Sequence, residues 1–257
     1  MDAKNPKSVL REVLQRVESV TGYPVHVQEE SQLPTIATVR AATASSPYTR
    51  IRYRSSAAPA REYLVVYQGG FVLRQHALDA GERWEIKASD AGRQEVASSV
   101  QRDFADRAET DAFTETLLGG LLTQLRSLPV GLRIDEWIGE EFPSLADQQK
   151  RCLELQIEEG FAVLAPAVRQ AVPERVYNAS VTMNAAMASH WASVWKDSRL
   201  VVPYKAAGFA EGAELLLESL ADIDPAPAND RALIAAWALG LGIENWFEFV
   251  QLSEEAS

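Results

Sequence analysis

The run Tyr63-Leu64-Val65-Val66-Tyr67-Gln68-Gly69-Gly70-Phe71-Val72-Leu73-Arg74 has the length and apolar content of one buried element, yet two adjacent glycines stand in its middle. Glycine costs about 1 kcal/mol relative to alanine inside a helix, so the pair penalises a helix by roughly 2 kcal/mol unless another backbone must approach closely. The run reads as a helix from about Pro59 to His76, or as a strand to Val66 with a turn at Gly69-Gly70. Leu64, Tyr67, Phe71 and Arg74 follow the three-or-four spacing of one helical face, and Pro59-Ala60 suits a first turn. β-Branched Val65 and Val66 speak for the strand. The spacing favours the helix.

In that frame the run resembles the active helix of HExxH zinc metallopeptidases, in particular the ImmA/IrrE-like group, where a His-Glu-x-Gly-His core precedes a short apolar tail with arginine. Here the core reads Tyr67-Gln68-Gly69-Gly70-Phe71. By position, Tyr67 and Phe71 replace the two ligand histidines and Gln68 replaces the general-base glutamate, while Gly70 and the tail to Arg74 are kept. Two histidines four apart on a helix aim their imidazoles at one zinc ion, and the glutamate takes a proton from the metal-bound water. Phenylalanine has no lone pair to give, neutral tyrosine is a poor ligand, and glutamine is no base near neutral pH. Loss of all three roles together has the look of a natural pseudoenzyme, with no metal, no cofactor and no catalytic residue.

A second stretch, Gly119 to Pro143, looks like a downstream segment of bacterial relatives in which a Pro-x-x-x-Arg-Ile-acid-x-Trp helix supplies an acidic third ligand. The resemblance puts Asp135 in that place, facing Tyr67 and Phe71 across a pocket; with no histidine partner left, the residue itself reads as a solvated acid on an amphipathic helix. Gly70, Arg74, His76 and Trp137 surround these positions as binding candidates. The resemblance covers residues 1–145 better than 146–257. It implies a small zincin-like half and a context of stress regulation, mobile elements or phage defence, beside a partner protein.

Composition narrows the partners. Lys and Arg number 25 and Asp and Glu 36, a formal charge of −11 that repels phosphate backbones and anionic membranes. No direct nucleic-acid contact and no membrane association are expected. A local basic patch around Arg50, Arg52, Arg54 and Arg61 has only Tyr48 and Tyr53 as aromatic company. Cys152 is the single cysteine, so no intramolecular disulfide forms and a reducing, cytoplasmic setting is the expectation. The first residues lack an apolar signal core, and the longest uncharged apolar stretch, Ala232 to Ile243, is too short for a bilayer.

The periodicity predicts an α+β chain: a small three-stranded sheet with zincin-like helices over 1–145, then a helical domain or extension over 146–257, or one continuous domain. Val9, Leu10, Val13, Leu14, Val17 and Val20 share a face of a helix from Ser8 that Gly22 ends. Strands are predicted at Val25–Gln28, Thr35–Ala41 and Tyr48–Arg54. Past Gly81-Glu82-Arg83 only helices are predicted: about Gln94–Ala108, Asp111–Leu128, Asp135–Glu141, Ser144–Gln170, Ser180–Lys196, Gly208–Asp222, Asn229–Leu241, and a last one through Trp246 and Phe249. Ser144 and Asn229 have N-cap chemistry, and Ala165-Pro166 can break the long helix.

Other signatures are weak. His26, His76 and His190 are not at ligand spacing from one another or from Cys152, and Glu136, Glu140 and Glu141 read as a solvated helix face. No Gly-x-Ser-x-Gly frame or phosphate loop exists. Met183, Met187 and Trp191 recur four apart, and Trp195, Trp237, Trp246, Phe247 and Phe249 make the last third aromatic; most of this reads as core, and any exposed part suits a protein surface. The reading is a non-catalytic protein-binding or regulatory subunit. The alternatives are an active hydrolase recruiting His76, Asp135 or Glu136, and a structural subunit of a larger assembly.

Overall fold

A computed structural model describes residues 5–104 and 110–252. The fold is α+β. In chain order the elements are α1 (Pro6–Thr21), β1 (Val25–Glu30), β2 (Ala37–Arg40), β3 (Thr49–Arg54), α2 (Arg61–His76), β4 (Trp84–Ala88), α3 (Asp90–Asp103) and α4 (Thr110–Glu141). There follow α5 (Ala146–Ala162), α6 (Pro166–Arg169), α7 (Glu174–Trp195), α8 (Val202–Ala206), α9 (Ala210–Asp222), α10 (Asp230–Gly240) and β5 (Phe247–Gln251). The described residues form two compact units, one of 5–85, 131–156 and 251–252, the other of 86–104, 110–130 and 157–250.

In the first unit, Asn5 caps α1 by accepting the Ser8 N–H at 2.9 Å, Pro6 occupies its first turn, and Gly22, at φ 73°, closes it in the left-handed region. Its apolar stripe, Val9, Leu10, Val13 and Val17, is buried. The sheet has the order β1-β3-β2, with β1 parallel and β2 antiparallel to the central β3. Strand periodicity sends Thr49, Ile51 and Tyr53 inward and Arg50, Arg52 and Arg54 outward. A 3-10 turn, Ser55–Ala60, leads into α2, which lies against β2, β3 and α1.

The second unit is built around α7, whose Met183, Met187 and Trp191 are buried as the four-residue repeat predicts. α9 packs on α7 and α10 on α9. Gln124 of α4 ties to α7, donating to the Ser180 carbonyl at 3.0 Å and Asn184 Oδ1 at 2.8 Å and accepting from Ser180 Oγ at 2.7 Å. Trp237, Trp246 and Phe247 are core, whereas Trp195 and Phe249 are half-buried.

Four expectations need correction. The chain does not stay helical after Arg83: β4 pairs with β5, and the helix expected through Trp246 and Phe249 is that second strand. Its approach is fixed by α3, because a Cβ on Gly92 would sit 2.4 Å from the Trp246 carbonyl oxygen, and the Trp246 indole donates to Glu95 at 2.9 Å. The helices expected to stop at Leu128 and restart at Asp135 are one, α4, which runs through Pro129. An interior proline costs about 3 kcal/mol, but residues 129–135 are all buried, and Val130, Leu132 and Ile134 each return roughly 1.5–3 kcal/mol. Ser144 and Asn229 make no side-chain cap; Ser144 lies inside a 3-10 turn, and Asn229 ends one before α10. The break at Ala165-Pro166 is present, separating α5 from α6. The expected helix segment 105–108 lies outside the described residues.

Candidate functional site

The glycine pair is accounted for by two close helix contacts. A Cβ on Gly69 would lie 3.0 Å from Val13 Cγ1 of α1, and one on Gly70 would lie 2.6 Å from Ile134 Cγ2 of α4. α2 is therefore gripped on adjacent sides by α1 and α4, at Gly70 at a distance that only glycine permits and at Gly69 at one where a methyl would fit only if Val13 gave way. The fit is mutual: Gly131 of α4 receives the Tyr67 hydroxyl, which stands 2.1 Å from where a Cβ would be. These contacts offset the helix-propensity loss of the pair and bring the α2 core against the segment that carries Asp135.

On this side of α2 the rings of Tyr63, Tyr67 and Phe71 stack at four-residue intervals. Tyr63 and Tyr67 have centroids 5.8 Å apart, and Phe71 meets Tyr67 edge-on at 5.3 Å. The Tyr63 hydroxyl donates to Asp135 Oδ1 at 2.8 Å. Gln149 of α5 donates from Nε2 to the same oxygen at 3.0 Å and to the Asp135 carbonyl at 2.9 Å. Its neighbour Gln148 accepts the Tyr63 N–H at 3.0 Å and donates to Glu62 at 3.0 Å. Three helices are joined at one carboxyl.

Burial dominates the electrostatics. Asp135 is not a solvated acid: it is 3% exposed, because Tyr63 and Gln149 take its carboxyl into the packing of α2, α4 and α5. Loss of water pushes its carboxyl up to about 7; the Gln149 and Tyr63 hydrogen bonds oppose the rise, and the Glu136 charge adds to it. Tyr63 and Tyr67 are raised well above the usual phenol range by burial, then by the Asp135 charge and by Cys152. At neutral pH both phenols stay protonated and Asp135 sits near its midpoint.

The sequence-derived positions divide into those that converge and those that do not. Tyr67, Phe71 and Asp135 share one locality, although the carboxyl is engaged by Tyr63, one turn before Tyr67. Gln68 is buried on α2, and Gly70 is at the α4 contact. Arg74 follows Tyr67 by seven residues, hence on the same side of the helix, and is half-buried. His76 follows by nine, which turns it to the opposite side; its imidazole is lowered by burial and by Arg83, and raised by a hydrogen bond to the Val20 backbone. Trp137 leans edge-on against Phe142 at 5.2 Å and donates to Glu141. Glu136 is on the exposed side of α4.

Tyr63, Gln148, Gln149 and Gly131 were not singled out by sequence reasoning. Tyr63 was legible as the third ring of a four-residue repeat. Nothing in Asp147-Gln148-Gln149-Lys150 marks the two glutamines.

The donor set does not fit a zinc ion. Beside Tyr67 and Phe71 stands one carboxyl, already holding two hydrogen bonds, and among the described residues no group of three or more His, Cys, Asp or Glu side chains is disposed to hold a metal. What the arrangement does chemically is lock three helices around an aromatic face. No helix among the described residues is long and apolar enough to cross a membrane. No protein-family model, curated protein or solved structure matches the chain.

Proposed function

We propose that the chain is a pseudo-metallopeptidase of the ImmA/IrrE-like kind, which acts without catalysis as a cytoplasmic protein-binding or regulatory subunit, in a bacterial stress or phage-defence setting. One observation carries the reading. The helix that resembles the HExxH element is held by glycine contacts against the segment bearing Asp135, while the positions matched to the ligands hold Tyr67 and Phe71 and the one matched to the base holds Gln68. Tyr63 is buried and Tyr67 and Phe71 are half-buried, so recognition on this side of α2 falls to the latter two rings. The single cysteine supports a reducing compartment.

The test is metal analysis of the purified chain after dialysis against zinc. The expected content is well under about a tenth of an equivalent, because imidazole or thiolate donors are what give zinc its affinity. A stoichiometric ion that disappears on Asp135→Asn would refute the degenerate site.

A hydrolase reading is favoured by one observation, the Asp135 carboxyl at about 7, in the range of a general acid. That reading requires solvent and substrate to reach a group 3% exposed and hydrogen-bonded to two neighbours, which weighs against it.

A further inference from the structure

The first unit's sheet packs α2 on one side; on the other, His26, Gln28 and Arg40 are exposed and Glu30, Thr38, Arg50, Arg52 and Arg54 are half-buried. Strand pairing fixes which side chains share the open face: His26, Gln28 and Glu30 of β1 beside Arg50, Arg52 and Arg54 of β3, and on the far side Thr38 and Arg40 of β2. Four arginines thus stand on one face with a single acid, Glu30, which pairs with Arg52 at 3.1 Å. Arg40 and Arg50 make no ion pair among the described residues, and Arg50 Nε has no hydrogen-bond partner there. The two are directly opposite in the ladder, an arrangement that weakens a sheet unless an anion lies between them. At the same end the His26 ring stacks on Tyr48, with centroids 4.7 Å apart and planes at 20°.

We propose that this face binds an extended acidic segment of a protein partner, with carboxylates at alternate residues. An extended peptide turns every second side chain to one side at intervals of about 6.6 Å, the same repeat that spaces Arg50, Arg52 and Arg54 along β3. Arg40 and Arg50 can each hold a carboxylate through two parallel hydrogen bonds, Arg52 can do so by exchanging Glu30, and Arg54, whose Nε donates to Ser56 Oγ at 3.0 Å, adds its charge at the end of the row. The row spans about 13 Å, so a motif of about five residues lies within it. The His26–Tyr48 stack offers a ledge for an apolar side chain at the Arg50 end. The formal charge of −11 favours a short motif over a polynucleotide: acids more than about 8 Å away are screened from a short peptide, whereas a polyanion runs past the patch.

The test is fluorescence anisotropy of a labelled peptide alternating threonine and glutamate, titrated with the full chain. Saturable binding is expected, at least tenfold weaker for Arg50→Glu/Arg52→Glu and unchanged for Arg169→Glu, an exposed arginine of α6. Should the double reversal unfold, Arg40→Gln is expected to weaken binding at least threefold with its unfolding midpoint kept. No saturable binding, wild-type binding by the folded variants, or tighter binding of a labelled oligothymidylate of matching length overturns the proposal.

Discussion

Gly70 and Asp135 are the residues on which the site turns, and each makes a prediction of its own. Adding one methyl at Gly70 drives it into Ile134 Cγ2, a branch close to the backbone of a buried helix that cannot swing aside. Gly70→Ala is expected to cost about 1–3 kcal/mol in urea unfolding. Ile134→Ala removes the clashing carbon, so the double variant is expected to lose less than the two singles combined, by at least about 1 kcal/mol. Simple additivity would place the clash elsewhere.

Asp135 gives a pH signature. Its folded-state value, about 7, lies above the ordinary carboxyl value of 3.8. Between these values the native state keeps a proton that the unfolded chain has released, so its contribution to stability is full below about pH 4, declines as pH rises to about 7, and is level above. The change is on the order of 4 kcal/mol. Asp135→Asn keeps the acceptor for Tyr63 and carries no charge, so its unfolding free energy should lack this decline. An unchanged slope in the variant would mean that the carboxyl is ionised throughout.

At the level of elements, α4 holds the counterpart to the Gly69-Gly70 pair. Gly119 and Gly120 also interrupt a helix, but they are exposed, and a Cβ at either would meet nothing within 4 Å. Without a close approach to offset their propensity cost, Gly119→Ala/Gly120→Ala should raise unfolding stability by about 1–2 kcal/mol. A loss would reveal a close contact made by these positions.

The contrast marks what the sequence tells and what it withholds. α1, the three strands of the first sheet and α2 were legible because each shows its period in its own residues, from Val9 to Val17 or Thr49 to Arg54. The continuity of α4 through Pro129 was not, since proline reads as a stop and its tolerance comes from burial of residues 129–135. β4 and β5 are short, and each needs the other, far along the chain, to become a strand. In the site, Tyr67 and Phe71 were visible as a spacing of four. The hold of Gln148 and Gln149 on Tyr63 and Asp135 was not, because glutamine signals nothing until a partner is brought to it.

Over the whole molecule, charge and chemistry are unevenly shared. Residues 1–85 carry slightly more Lys and Arg than Asp and Glu, so the remainder bears the entire net negative charge. The basic sheet face and the aromatic side of α2 both belong to the first unit, where the ImmA/IrrE-like resemblance is concentrated. The proposed retired peptidase rests on the resemblance of the Tyr67–Phe71 frame and of the Asp135 segment, which α2 and α4 bring into one unit. The most direct measurement is a zinc titration of the wild-type chain beside Tyr67→His/Gln68→Glu/Phe71→His, with bound metal read by mass spectrometry after desalting. Negligible zinc is expected in the wild type and about one equivalent in the triple variant, whose paired imidazoles and Asp135 supply the donors. Stoichiometric zinc in the wild type, or none in a folded triple variant, would contradict the retired-peptidase proposal.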